Sequence, residues 1–158
     1  MSIEKVRAYL AERGAADRIR EFPVSSATVE LAAAALSCAP ERIAKTLSFG
    51  LSDGVILLVA AGDAKVDNRK YRDRFKEKAR MLPHEEVAAA VGHAVGGVCP
   101  FAVAEGVRVY LDESLRRFTT VFPACGSSNS AIEVTIPELE ALVEKYEWVD
   151  VCKLPAVE

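Results

Sequence analysis

Apolar positions along the chain change their period every ten residues or so, and each change marks an element. In "SIEKVRAYLAERG" Ile3, Val6 and Leu10 recur at helical spacing among charges, which predicts an amphipathic helix that stops at Gly14. A second helix starts near Ser26 or Thr28 and runs through "VELAAAAL" to Leu36, with a short helical turn at Pro40 behind it. The pattern then becomes that of a sheet. "KTLSFG" and "VILLVAAG" read as strands on either side of "LSDG", where Asp53-Gly54 signals a hairpin turn. Asp67 can cap a third helix, "NRKYRDRFKEKAR", whose Tyr71, Phe75 and Ala79 share one face and should be buried. Pro83 opens a fourth, "HEEVAAAV", ending at Gly92. "VRVYL" and "TTVFPA" are strands by their branched and aromatic content, with "DESLRRF" a short helix between them, and "SAIEVT" is another strand. Thr135 and Glu138 have capping-box spacing for the helix "PELEALVEKY", and "WVDVC" alternates like a closing strand.

Helix pairs and hairpins in this mixed order predict an α+β fold: a single domain over residues 1–158, with a mixed, largely antiparallel sheet. At 158 residues the chain can bury about two-thirds of its unfolded surface without a staple. No apolar run approaches the roughly 20 residues that span a bilayer, and the charged N-terminus is unlike a signal peptide, so a cytoplasmic protein is expected. Cys38, Cys99, Cys125 and Cys152 lie far apart with no CxxC pair, which favours reduced thiols. With His84 and His93 the only histidines, neither a metal nor a cofactor is called for. The net charge of −3 gives no general attraction to nucleic acid, so such a partner would need a local patch. Residues 68–80 supply one, with seven basic and two acidic side chains. Arg69, Lys70 and Arg72 are its candidate phosphate contacts, although charge runs are usually solvated faces.

Three places carry candidate chemistry. "GHAVGGVCPFA", residues 92 to 102, concentrates glycines that cost about 0.5–1 kcal/mol each inside a regular element. It is either a rim of backbone N–H donors around a ligand or a plain connection. "ACGSSNSA", residues 124 to 131, reads in isolation as a hairpin turn, and as part of a concave site once paired with the first loop. Lys45 stands where a short helix gives way to an apolar strand, placed to aim an ammonium at an anionic or carbonyl oxygen. With an ordinary pKa near 10.4, a lysine anchors or polarises before it acts as a base. Cys99 is a nucleophile candidate, with His93 as the nearby base, but a buried small hydrophobe is the role its surroundings favour.

"ERIAKTLSF", "GDAKVDNRKYRDRF", "VGGVCPFAV" and "CGSSNSAIEVTIPEL" resemble, in order and spacing, the YbaK and prolyl-tRNA synthetase-associated domain family over about residues 22 to 142. The resemblance implies an aminoacyl-tRNA deacylase that removes a wrong amino acid, often alanine or cysteine, from the tRNA for proline. It implies mischarged tRNA and prolyl-tRNA synthetase as partners, and a partly curled mixed sheet flanked by helices. Carried over by position, Lys45 matches the family's hallmark lysine; Gly96, Gly97, Val98, Cys99 and Pro100 its glycine-to-proline loop; and Gly126, Ser127, Ser128 and Asn129 the opposite loop of the amino-acid pocket. Cys99 stands where relatives often have serine, and "TTVFPA" lacks the histidine of the alanine-editing branch. The other readings are a non-catalytic module that binds an amino acid, a nucleotide or a tRNA end, and a cysteine-dependent hydrolase.

Overall fold

The computed structural model describes residues 2–155. Ile3, Val6 and Leu10 form the buried stripe of α1 (Ser2–Ala11), and the chain turns away through Gly14 at φ +74°. A two-residue strand, β1 (Arg20–Glu21), leads to α2 (Val29–Leu36). Thr28 caps α2 by accepting from the Leu31 N–H at 3.1 Å, and Ala32, Ala33 and Leu36 turn inward. β2 (Ile43–Leu51) and β3 (Gly54–Ala61) form the expected antiparallel hairpin, with Leu51 opposite Gly54. Ile56 through Ala61 are all buried. An unbroken apolar run of this kind marks a strand covered on both faces.

β4 (Lys65–Val66) precedes α3 (Asn68–Phe75), whose cap is Asp67, accepting from the Arg69 and Lys70 N–H groups at 3.0 and 3.1 Å. The helix ends well before Arg80, at Lys76 in the left-handed region with φ +63°. Residues 80–82 are drawn instead to the edge of β2: the Gly50 N–H donates to Arg80 O at 2.9 Å and the Leu82 N–H to Ser48 O at 3.1 Å. Tyr71 still packs on Phe49, and Phe75 on Tyr110, but Ala79 reaches the core from a non-helical segment. α4 (His84–Val91) ends at Gly92, φ +94°, as expected.

β5 (Arg108–Asp112) and a short helical turn, Glu113–Arg117, lead to β6 (Thr120–Pro123). "SAIEVT" is not one strand: β7 (Ser130–Ala131) pairs with β1, and β8 (Val134–Thr135) with β6. The Thr135–Glu138 capping box opens α5 (Ile136–Val143). "WVDVC" also divides, because β9 (Glu147–Val149) joins β5 while β10 (Cys152–Lys153) pairs with β4. The main sheet runs β8-β6-β2-β3-β5-β9. Its β2–β6, β3–β5 and β5–β9 pairings are parallel and its β2–β3 and β6–β8 pairings antiparallel, while β1–β7 and β4–β10 form two separate antiparallel ribbons. This is an α+β fold on a mixed, curled sheet. A main core wraps β3, and a smaller cluster joins Ala32, Ala33 and Leu36 of α2 to Phe22, Ile43, Phe122 and Ala131. No helix among the described residues is long and apolar enough to cross a membrane.

Candidate functional site

A cavity of about 330 Å³ lies where the two clusters meet. Its floor is β2 from Ile43 to Ser48, and one wall is the start of α2 with Ser26 and Thr28. Phe122, Ala124, Ser130 and Ala131 form the opposite wall, while Leu82, Val87, Gly96 and Val98 close the remaining sides. The lining is mostly apolar, and its titratable side chains are Lys45 and His84.

Lys45 is half-buried, and its Nζ donates to Gly62 O at 3.4 Å and to Ala64 O. Both carbonyls belong to the turn between β3 and β4. Burial pulls the ammonium below the ordinary lysine range, with the Asp63 carboxylate working against it. Local packing explains the turn: a Cβ at Gly62 would stand 2.1 Å from Pro40 O, so only glycine lets these two turns touch.

The two glycine loops do converge. A Cβ on Gly97 would lie 2.8 Å from both Gly126 C and Ser127 N, so the loops meet backbone to backbone. Gly96 and Val98 reach the cavity; Gly97, Cys99, Pro100, Gly126 and Ser127 are buried behind it. Ser127 Oγ donates to Asn129 Oδ1 at 2.9 Å and lies 2.7 Å from Ser130 Oγ. Asn129 Nδ2 donates to Phe22 O at 3.0 Å, and Ser128 O accepts from the Ser26 N–H at 2.6 Å. The second loop thus ties down the segment before α2 and positions Ser26 on the cavity wall, while the Ser128 side chain is exposed.

The cysteine reading loses its base. Cys99 Sγ is 3.6 Å from His93 Nε2, but that nitrogen is 2.7 Å from Phe101 O, which can only accept. Nε2 therefore carries a proton and cannot take one from the thiol. Burial pushes the Cys99 thiol up to about 12 and pulls His93 down, leaving both neutral. Among the described residues, no group of three His, Cys, Asp or Glu side chains could hold a metal ion.

Arg69, Lys70 and Arg72 lie on α3, away from the cavity lining. Lys70 is engaged, with Asp150 at 3.1 Å and Cys152 O at 3.0 Å. Arg69 and Arg72 are exposed and without ion pairs among the described residues. Sequence reasoning missed Thr46, Ser48, Ser130 and His84 on the lining. The alternation of β2 could have flagged Thr46 and Ser48; nothing in the sequence marks His84.

A family model described as the aminoacyl-tRNA editing domain matches residues 24–142. The chain belongs to that family. The editing domain is 54% identical over 154 residues to YwhH of Bacillus subtilis (strain 168), an uncharacterised protein, covering 97% of this chain and 98% of that one. It is 25% identical over 122 residues to the proline–tRNA ligase of Geobacillus sp. (strain WCH70), covering 75% of this chain but 21% of the ligase. A crystal structure described as a candidate trans-editing enzyme for prolyl tRNA synthetase superposes with a TM-score of 0.86 at 29% identity, covering 96% of this chain and 97% of that one.

Proposed function

We propose that the protein is a free-standing deacylase that hydrolyses the ester joining a small non-cognate amino acid to the tRNA for proline. The observation that carries this reading is that Lys45, Gly96 and Val98 line one small apolar cavity. Its volume of about 330 Å³ suits a small acyl group. Lys45, fixed by two carbonyls, keeps a third N–H to grip the terminal phosphate or polarise the ester. Water adds to the ester carbonyl, the ester C–O bond breaks, and the ribose oxygen leaves with a proton derived from that water. An aminoacyl ester is already activated, so no protein nucleophile is required. Backbone N–H groups near Gly96 stabilise the developing oxyanion, a single such donor being worth about 10²–10³ in rate. The substrate's neighbouring ribose hydroxyl assists the proton transfer, which accounts for a lining without carboxylate or thiol. Arg69 and Arg72 meet acceptor-stem phosphates, with prolyl-tRNA synthetase as the functional partner.

A panel of mischarged tRNAs tests the reading, with release of the amino acid as readout. Hydrolysis of at least one is expected, together with a loss of about 100-fold or more in Lys45→Ala at unchanged fold. Full activity in that variant removes the lysine from the mechanism. Binding of mischarged tRNA without any release leaves a non-catalytic module.

A further inference from the structure

Thr46 occupies a gap in the outer edge of β2. Alternate residues of an antiparallel strand turn their N–H and C=O to opposite edges. Ser48 O and the Gly50 N–H face away from β3, toward the Leu82 N–H and Arg80 O. Residues 44, 46, 48 and 50 therefore share the outer edge. At the other end β6 covers it as far as Ala44, opposite Pro123; the ladder stops there, and Ala124 pairs with Ala131 instead. One residue is left between the two closures. Among the described residues nothing bonds to the Thr46 N–H or C=O on this edge, and Thr46 Oγ1 is buried without a partner. Thr46 and both margins of the gap, Ala124 and Leu82, line the cavity. Buried polar groups in folded proteins are almost always paired, so the buried Thr46 Oγ1, beside a cavity-edge N–H and C=O without a protein partner, points to a ligand with matching groups.

We propose that Thr46 is a one-residue strand edge that reads the free α-amino group and the carbonyl of an aminoacyl ligand. Its C=O accepts from the α-ammonium and its N–H donates to the acyl carbonyl oxygen, the exchange that two residues make in an antiparallel pair. The identity of the ligand rests on the deacylase reading above. Lys45 and Thr46 then divide the work: the lysine, turned to the carbonyls of Gly62 and Ala64, takes the nucleotide end, and the next residue's backbone takes the amino acid. Acyl groups of equal size that lack an α-amino group are rejected.

The test compares two short CCA-ended RNAs carrying a stable amide-linked group at the 3′ position, alanyl in one and propionyl in the other, by calorimetric titration of the intact protein. The alanyl RNA is expected to bind about 10- to 100-fold tighter, the range for one hydrogen bond to a charged group. Equal dissociation constants, or no binding of either, overturn the subsite. Thr46→Pro removes an N–H that the β3 ladder does not use, at an edge position where proline is tolerated. It should weaken the alanyl RNA about tenfold or more, and wild-type affinity in a folded Thr46→Pro protein also overturns the proposal. Should that variant not fold, the two-ligand comparison on the wild type decides alone. Release of amino acid from mischarged tRNA without amino preference sinks the subsite and leaves the deacylase. Amino preference without release does the reverse.

Discussion

Gly62 shows how one residue reaches the site without touching it. Its carbonyl helps hold Lys45 Nζ, and its missing side chain admits Pro40 O and Val29 Cγ1 to where a Cβ would stand 2.1 and 2.8 Å away. Gly62→Ala must push the turn off the Pro40 segment, and the lysine moves with it. We expect a stability loss of about 1–3 kcal/mol in urea denaturation, the usual range for overpacking, and a larger proportional loss of deacylation. Undiminished turnover would separate Lys45 from the turn that holds it. The thiols give a second check. Cys99, Cys125 and Cys152 are buried and Cys38 is partly exposed, all four free. Burial pushes the thiols of Cys99 and Cys152 to about 12, so a native thiol titration should react with Cys38 first and with the others only on unfolding. Fast labelling of Cys99 would revive a reactive-cysteine reading. Lys45 could be picked out of the sequence because a charge before an apolar strand stands out locally. Thr46 could not, since its unpaired edge exists only once β6 and residues 80–82 have stopped on either side of it.

At the scale of elements, what local chemistry specifies was legible, and what distant pairing specifies was not. The β2–β3 hairpin, the Asp67 cap and the Thr135–Glu138 box each lie within a few residues of the signal that announces them. β1, β4 and β10 are two-residue strands, too short for a period, and exist through partners far along the chain. α3 shows the competition directly. Its helical pattern continues past Phe75, but the edge of β2 claims residues 80–82, and Lys76 takes a left-handed turn that costs a non-glycine residue about 1–2 kcal/mol. Lys76→Gly should recover up to about 1 kcal/mol in urea denaturation, with no change if the helix runs on in solution. Glu138 adds a pH signature to the start of α5. It accepts from Arg18 at 2.6 Å and from the Thr135 N–H at 2.8 Å, and these bonds hold its carboxyl down at about 2. A carboxyl lowered by folding contributes stability that is complete above its unfolded value of 4.5 and lost as the pH falls toward about 2. Both side chains of the ion pair are 40% exposed, so screening keeps the effect small. Glu138→Gln should lower the urea midpoint near neutral pH, and the gap to wild type should close as the pH drops through that window. A gap that does not change with pH would mean the capping geometry matters and the charge does not.

Over the whole molecule, a net charge of −3 conceals one basic region. Lys65 and Lys153 stand directly opposite each other across the β4–β10 ribbon, both exposed, and Arg69 and Arg72 follow on α3. Like charges facing each other across a strand pair destabilise it, so the ribbon carries a cost that a bound polyanion would relieve. The ribbon starts one residue beyond Ala64, whose carbonyl receives the Lys45 ammonium, so the chain itself leads from the cavity to this surface. If the acceptor stem lies here, folding and binding respond to Lys153→Glu with opposite signs. Facing Lys65, the new carboxylate replaces a repulsion with an attraction, and stability should rise by about 0.2–1 kcal/mol in denaturant titration. Affinity for tRNA should fall, and the slope of log affinity against log salt should flatten by about 0.7–0.9 if one phosphate contact is lost. The double change Arg69→Glu with Arg72→Glu should flatten it by about twice that, while hydrolysis of a short aminoacylated CCA fragment, which ends near Lys45, stays close to wild type. Unchanged salt slopes in both variants would move the RNA to another face, whereas losses confined to full-length tRNA place the stem along α3 and the acyl end in the cavity.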